Sequence, residues 1–308
     1  MESKWAESLF VYKEEYSQRI LEEAQKIKDS KENCSYQDLL DVGILHRKEH
    51  QGVNTFLSRY NLSDGLNALE LGCGLGCTSR YLAGTKNWNL LAIDYLSHYV
   101  ECAKKLAELC NLSESIEFQQ GDITNCELPV NAFDVCIIIG VYLYIPDPGN
   151  SFTRIFESLK PGGLLYWEDY YFKEENLGSQ EQWLMSQVPY PGVRTKKALL
   201  EEILGVGFEL VEWNEFGEEW SESAWNRAEA TLEKHRRGEK VDSSALKADC
   251  FVITQVLKEF SIPKEEIQEK WPLTYEYVSG NTLFTENQDF MGVCHSVFRK
   301  PLEAQRSN

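Results

Sequence analysis

Apolar positions along this chain recur at two different periods, and the change of period divides it. Residues 4–30 carry Trp5, Leu9, Tyr12, Tyr16, Ile20 and Ile27 at roughly helical spacing, with Glu and Lys filling the other face. Asp29 to Ser35 is a polar break, and a second helical stretch begins near Tyr36 with Leu39, Leu40 and Val42. From residue 68 onward short apolar runs alternate with helical stretches. Strands are predicted at Ala68–Leu71, Asn89–Ile93, Ser115–Gln119, Phe133–Gly140 and Leu164–Trp167. Helices are predicted from Arg80, over Ser97–Leu109, over Ser151–Leu159 and over Ala198–Leu204, with Pro161-Gly162-Gly163 as a turn. Such alternation with short connections specifies an α/β fold: a parallel, doubly wound sheet covered on both faces, with Phe133–Gly140 at its centre.

Two more strands are predicted at Phe208–Phe216 and Phe290–Arg299. The seventy or so residues between them hold charged helical stretches with embedded aromatics: Trp220, Trp225, Phe251, Phe260, Trp271, Tyr275 and Tyr277. A structureless loop of that length is improbable, so a helical cap over the strand ends is expected. The domain plan is a helical lead-in over 1–60, a core over 61–217 and 281–301, and a cap insert over 218–280.

The sharpest local signal is Ala68-Leu-Glu-Leu-Gly-Cys-Gly-Leu-Gly-Cys-Thr-Ser79, a strand, a glycine turn and a helix start. Gly72, Gly74 and Gly76 permit positive φ and close backbone approach. A helix N-terminus there offers unpaired N–H groups and the positive end of a dipole. The dinucleotide fingerprint would need a glycine at 77, where Cys77 stands. Glu70 just before the turn would repel a pyrophosphate and suits a ligand with an ammonium and hydroxyls. In an open α/β sheet ligands lie beyond the carboxyl ends of the strands, and acids line up there: Glu70, Asp94, Asp122, then Glu168 and Asp169. Asp94 can accept from a ribose diol and Asp122 from an exocyclic amine.

With 49 acidic against 31 basic residues the formal net charge is −18. That argues against nucleic acid and against anionic membranes as partners. The nine cysteines are odd in number and scattered, with no C-x-x-C pair, which fits reduced thiols and a cytoplasmic setting. No signal peptide is read at Met1–Glu7, and no apolar run approaches the ~20 residues of a membrane span. His46-Arg-Lys-Glu-His50 matches H-x-x-E-H, but its charged context and the lack of a third ligand make it incidental, so no metal is expected.

Residues 68–172 resemble the class I S-adenosylmethionine-dependent methyltransferases. The resemblance rests on the glycine motif, Leu-Leu-Ala-Ile-Asp94, Gln-Gly-Asp122-Ile, Asn-Ala-Phe-Asp134-Val and Leu-Lys-Pro-Gly-Gly163-Leu-Leu, in that order and spacing. It implies a Rossmann-like seven-stranded sheet, mostly parallel with an antiparallel last strand. It implies S-adenosyl-L-methionine as co-substrate. Glu70 and the glycines Gly72, Gly74 and Gly76 would surround the methionine moiety, Asp94 the ribose, and Asp122 with Ile123 the adenine, with Cys73, Tyr95 and Gly140 also in the cofactor site. Within the family the chain looks most like the sarcosine/dimethylglycine, phosphoethanolamine and tocopherol groups. Phosphoethanolamine enzymes place an Asp and a His after the fourth strand, where this chain has Gly140 and Tyr144.

The expected activity is therefore methylation of a small molecule, with N-methylation of a small amine favoured. The alternatives are C- or O-methylation of an isoprenoid or phenolic acceptor, or a non-catalytic cofactor-binding protein. Tyr142, Tyr144, Trp167, Tyr170 and Tyr171 stand near Glu168 and Asp169 at two adjacent strand ends. Aromatic faces and carboxylates suit a cationic amine. Tyr144, Asp169 and Tyr171 are the expected acceptor residues. The expected state is a monomer or homodimer with no membrane insertion.

Overall fold

A computed structural model describes residues 13–32, 34–40, 42, 43, 49–173, 191–215, 218–239, 241, 246, 250, 263–279 and 291–302. Its strands are β1 (Asn67–Leu71), β2 (Asn89–Asp94), β3 (Ile116–Gln120), β4 (Phe133–Ile139), β5 (Leu159–Phe172), β6 (Arg194–Thr195), β7 (Glu209–Glu215) and β8 (Met291–Arg299). The described helices are α1 (Glu14–Asp29), α2 (Glu49–Arg59), α3 (Cys77–Lys86), α4 (Ser97–Leu109), α5 (Ser151–Ser158), α6 (Lys196–Gly205), α7 (Glu218–Arg236), α8 (Lys264–Lys270) and α9 (Pro272–Ser279).

Seven strands form one sheet in the order β3-β2-β1-β4-β5-β8-β7, and the two-residue β6 pairs with the end of β5. β1 to β5 are mutually parallel, while β8 runs antiparallel to both its neighbours. The last strand in the chain is thus antiparallel, as expected, and it lies between β5 and β7. β4 lies beside β1 near the middle of the sheet, and five of its seven residues are buried, which is why its run is almost wholly apolar.

The two faces are covered by different helices. Val53 and Phe56 of α2, Leu82 of α3 and Val100, Ala103 and Ala107 of α4 pack on Ala68, Leu90, Ala92, Val135 and Ile137. Phe152 and Ile155 of α5 with Leu199 and Ile203 of α6 pack on Leu69, Leu71, Ile93, Cys136 and Ile138. Successive strand residues divide cleanly between these faces, as the pleat requires. Ile20 and Ala24 of α1 pack outside α4 on Tyr99, Cys102 and Leu106. A fourth cluster joins Ala224, Trp225 and Ala228 of α7 and Trp271 to Leu143, Tyr170, Met291 and Val293. All nine cysteines are free thiols.

Three expectations need adjusting. The helical stretch near Tyr36 is one 3-10 turn, Tyr36–Leu39, held by a capping box between Ser35 and Asp38. The expected strand Leu164–Trp167 is the middle of a fourteen-residue strand. It runs on to Phe172 because β8 pairs with it residue by residue from Leu164–Arg299 to Phe172–Met291. At its start Phe133 pairs with Leu159 and Val135 with Leu164, so the expected turn Pro161-Gly162-Gly163 is a bulge inside the strand. Residues 1–12, Phe251, Phe260 and the side chain of Trp220 lie outside the described residues.

Candidate active site

The glycine turn follows β1. Gly72, Gly74 and Gly76 have φ of 74°, 55° and 72°, all in the left-handed region. At Gly72 the requirement is also steric: a Cβ would lie 2.3 Å from Cγ2 of Val141, just past β4. The amides of Gly72 and Cys73 donate to the Ile93 carbonyl at 2.7 and 3.1 Å, tying the turn to the end of β2. Gly76 then caps α3 with no side-chain acceptor, so the helix presents its first amides at the turn. Arg80 of α3, which the sequence reading passed over, is buried and braces the turn from behind. It donates to the Leu75 carbonyl at 2.6 Å and to the Val42 carbonyl at 3.0 Å.

Asp94 stands at the end of β2, 8% exposed. One carboxylate oxygen accepts from the Gly74 amide at 2.8 Å and the other from the Leu96 amide at 2.9 Å. Burial pushes its carboxyl above the usual range, and the backbone donors oppose that. Beside it opens a cleft of about 430 Å³ lined by Tyr95, Leu96, Ser97, His98, Gln120, Gly121 and Asp122. Asp122 is fixed by accepting from the amide and hydroxyl of Thr124 at 2.9 and 2.8 Å. Tyr95 is 48% exposed at the rim and Ile123 is buried. Tyr95 and Asp122 thus line one cleft, and Asp94 precedes Tyr95 at the end of β2. Glu70 is not turned toward it: its carboxylate accepts from the Ser79 hydroxyl of α3. Burial is the main reason its pKa rises to about 7.

The acceptor residues divide differently from expectation. Odd-numbered side chains of β5 face α5 and α6, while Tyr166 and Tyr170 face the other way. Asp169 is 2% exposed and accepts from the amides of Leu143 at 3.1 Å and Tyr170 at 2.8 Å. Burial raises its pKa to about 7 against the amides that surround it. Its carboxylate secures the 3-10 turn Tyr142–Tyr144 to β5. Tyr171 is also 2% exposed, edge-on to Trp213 at 5.3 Å in the α5–α6 core, so it leaves the acceptor set. Trp167 and Tyr142 belong to that same core. Tyr144 alone of the three expected residues lies on the cap side, half-buried against the cluster of Tyr170, Trp225 and Trp271. Gly140, φ 63°, donates its amide to the Glu168 carbonyl at 2.7 Å and joins the ends of β4 and β5.

His46 lies outside the described residues, and His50, on α2, packs against the Tyr81 ring at 4.4 Å. Among the described residues no group of three or more His, Cys, Asp or Glu is placed to hold a metal.

Residues 69–167, which contain the glycine turn, Asp94 and Asp122, match the family described as methyltransferase domain. Phosphoethanolamine N-methyltransferase 1 of Arabidopsis thaliana is 30% identical over 135 residues, 44% of this chain and 27% of that protein. Sterol 24-C-methyltransferase erg6 of Aspergillus fumigatus is 30% identical over 103 residues, 33% of this chain and 27% of that protein. These matches span about a quarter of the length of the curated relatives. The solved Haemonchus contortus phosphoethanolamine N-methyltransferase 2 superposes with a TM-score of 0.60 at 17% identity, over 82% of this chain and 53% of that one. That likeness speaks for the fold. The matched residues end within β5 and so take in the glycine turn, Asp94, Asp122 and Gly140. α1, α2, β7, β8 and the cap helices lie outside its matched residues.

Proposed function

We propose that this chain is an S-adenosylmethionine-dependent methyltransferase acting on a small molecule, and that its preferred acceptor is a small amine. The observation that carries the reading is Asp94, braced between the amides of Gly74 and Leu96, next in sequence to the Tyr95 and Leu96 that line a cleft with Asp122. The residues fit that co-substrate. The turn presents backbone where any side chain at Gly72 would collide with Val141. Asp94 and Tyr95 would hold the ribose, Asp122 and Ile123 the adenine, and Gly72, Cys73, Gly74, Gly76 and Gly140 the methionine end. Glu70 would act through Ser79 on the first turn of α3.

When bound, the co-substrate supplies a methyl group already activated on a sulfonium. The protein's own task is to align the acceptor and exclude water, and orientation alone can supply roughly 7–11 kcal/mol in favourable systems. Tyr144, Tyr170 and the stacked pair Trp225 and Trp271, packed in one cluster, would offer an acceptor aromatic faces, each worth about 0.5–2 kcal/mol to a cation. The same apolar cluster also suits an isoprenoid or phenolic acceptor, which is the second reading. The reading keeps the division into lead-in, core and cap, a cytoplasmic monomer or homodimer, and no nucleic-acid partner. Among the described residues no helix is long and apolar enough to cross a membrane.

Isothermal titration should show binding of S-adenosylmethionine and S-adenosylhomocysteine and none of NAD; the reverse would sink the assignment. A methyl-label panel of glycine, sarcosine, dimethylglycine, phosphoethanolamine, phenethylamine, a tocopherol precursor and a prenyl diphosphate decides the acceptor. Label on the last two alone would remove the amine.

A further inference from the structure

One face of β5 changes character along its length. Tyr166 lies under α2, with Phe56 at 4.9 Å between ring centres. Tyr170 and Phe172 lie under the cap helices. Glu168 sits between them on the same face, 1% exposed, at the boundary of two apolar clusters. Its hydrogen-bonded neighbour across the sheet is Ile139, followed by Gly140 and then Val141, which touches the glycine turn. Glu168 is therefore the acid that stands between the glycine turn and the cap.

It does not stand alone. The Tyr166 hydroxyl donates to Glu168 Oε2 at 2.7 Å. His295 of β8 is directly opposite Glu168 in register, and Asn214 of β7 directly opposite His295. Opposed residues of an antiparallel pair share a face with Cβ atoms about 4.5–5.5 Å apart. Asn214 Nδ2 lies 2.7 Å from His295 Nε2 and also reaches Glu212. Glu212 in turn takes Arg59 and the Tyr60 hydroxyl, both at the end of α2. A row of polar side chains so runs through an apolar face, from Glu168 inside to an ion pair at the edge strand. Burying such a row is costly unless each member is partnered, and the row meets β5 between the residues packed under α2 and those packed under the cap helices.

We propose that Glu168 is the carboxylate that receives the acceptor amine and takes its proton, with Tyr166 and His295 as positioning residues. This rests on the methyltransferase reading above and assigns the acid within it. In the step the ammonium N–H bond breaks, the Glu168 O–H bond forms, and the electron pair stays on nitrogen, which becomes the nucleophile. Among the described residues the groups beside Glu168 include Tyr166 on its own strand and His295 on β8; Asp169 adjoins it from the opposite face, and Glu212 with Arg59 closes the row. Burial, with Asp169 adding to it, pushes the Glu168 carboxyl up to about 8, where it accepts a proton readily. His295 is held neutral, its pKa down to about 4, by burial and by Arg59.

The test uses the full chain with Glu168→Gln, Glu168→Asp and Tyr166→Phe, and the best amine of the panel above. Expected is a loss on the order of 10²-fold in kcat/KM for Glu168→Gln, with partial recovery in Glu168→Asp. Titration of the same amine should show at least roughly tenfold weaker binding to Glu168→Gln, with S-adenosylhomocysteine affinity kept. Tyr166→Phe removes a bond that lowers the Glu168 pKa, so the rising limb of the pH–rate profile should move to higher pH. Amine turnover and binding unchanged in Glu168→Gln would overturn this proposal and leave the amine reading standing. Loss of S-adenosylhomocysteine binding in Glu168→Gln would make the residue structural and also overturn it. A wild-type protein that labels only prenyl or phenolic acceptors overturns both.

Discussion

Gly72→Ala tests the glycine turn by comparison with Gly65→Ala. The two glycines have nearly equal φ, 74° and 76°, yet a Cβ at Gly65 would meet nothing within 4 Å. At Gly72 it would meet Cγ2 and Cγ1 of Val141 at 2.3 and 2.9 Å. Holding an L-residue in the left-handed region costs about 1–2 kcal/mol. Loss of unfolded-chain entropy returns about 0.4–1 kcal/mol to either variant. Gly65→Ala should therefore cost roughly 0–1.5 kcal/mol. Gly72→Ala adds overpacking, about 1–3 kcal/mol, and should cost roughly 1–4. Urea unfolding with a common m-value reads the difference, and titration of S-adenosylhomocysteine reads the site. Affinity should fall at least about tenfold in Gly72→Ala and hold in Gly65→Ala. Val141→Ala removes both clashing methyls and leaves its Cβ at 3.1 Å. In the Gly72→Ala background it should recover on the order of 1 kcal/mol as a coupling energy. Equal losses for the two glycine variants, or no coupling with Val141, would refute the steric account of the turn.

Two more outcomes follow from the carboxylates. Asp94→Ala leaves the Gly74 and Leu96 amides without their acceptor and should weaken S-adenosylhomocysteine by about 1.5–3 kcal/mol by titration; unchanged affinity would remove Asp94 from the site. Glu70, Asp169 and Glu168 all have folded pKa values raised above the usual carboxylate range, to about 7, 7 and 8. Each binds its proton more tightly folded than unfolded, so stability is full below about pH 4 and falls as pH rises toward 8, by at most about 1.4 kcal/mol per pH unit for each group. The net charge of −18 acts with the same sign, so the decisive measurement is the Glu168→Gln variant, whose urea midpoint should vary less between pH 5 and 8 than that of the wild type. An identical slope would contradict a buried, proton-holding Glu168.

The strands, the two-sided covering and the glycine turn were legible because each depends on short-range features. Gly72, Gly74 and Gly76 advertise a backbone that only glycine adopts cheaply, and Asp94 and Asp122 mark strand ends by polarity alone. Arg80 gave no such sign, because its partners are the carbonyls of Leu75 and Val42, and a carbonyl leaves no trace in side-chain type. Tyr36–Leu39 read as helix because a capping box and three apolar residues suit a 3-10 turn equally well. The lengthening of β5 was invisible for another reason: its pairing partner β8 is more than a hundred residues away.

That hidden length decides where Glu168 to Tyr171 point. With a strand running to Phe172, they alternate. Asp169 and Tyr171 go to the α5–α6 face, where the one secures a turn and the other fills the core. Glu168 and Tyr170 go to the face that bears Asp94 and the cap. The same pleat then selects the companions of Glu168: only His295 and Asn214 can lie beside it across β8 and β7, and both are polar on an otherwise apolar face. An acid whose neighbours on two further strands are polar in register is a built feature of the sheet. The sheet therefore sets acid chemistry at the boundary between cofactor face and cap, which is why Glu168, and not the more conspicuous Asp169, is the residue on which an amine acceptor would depend.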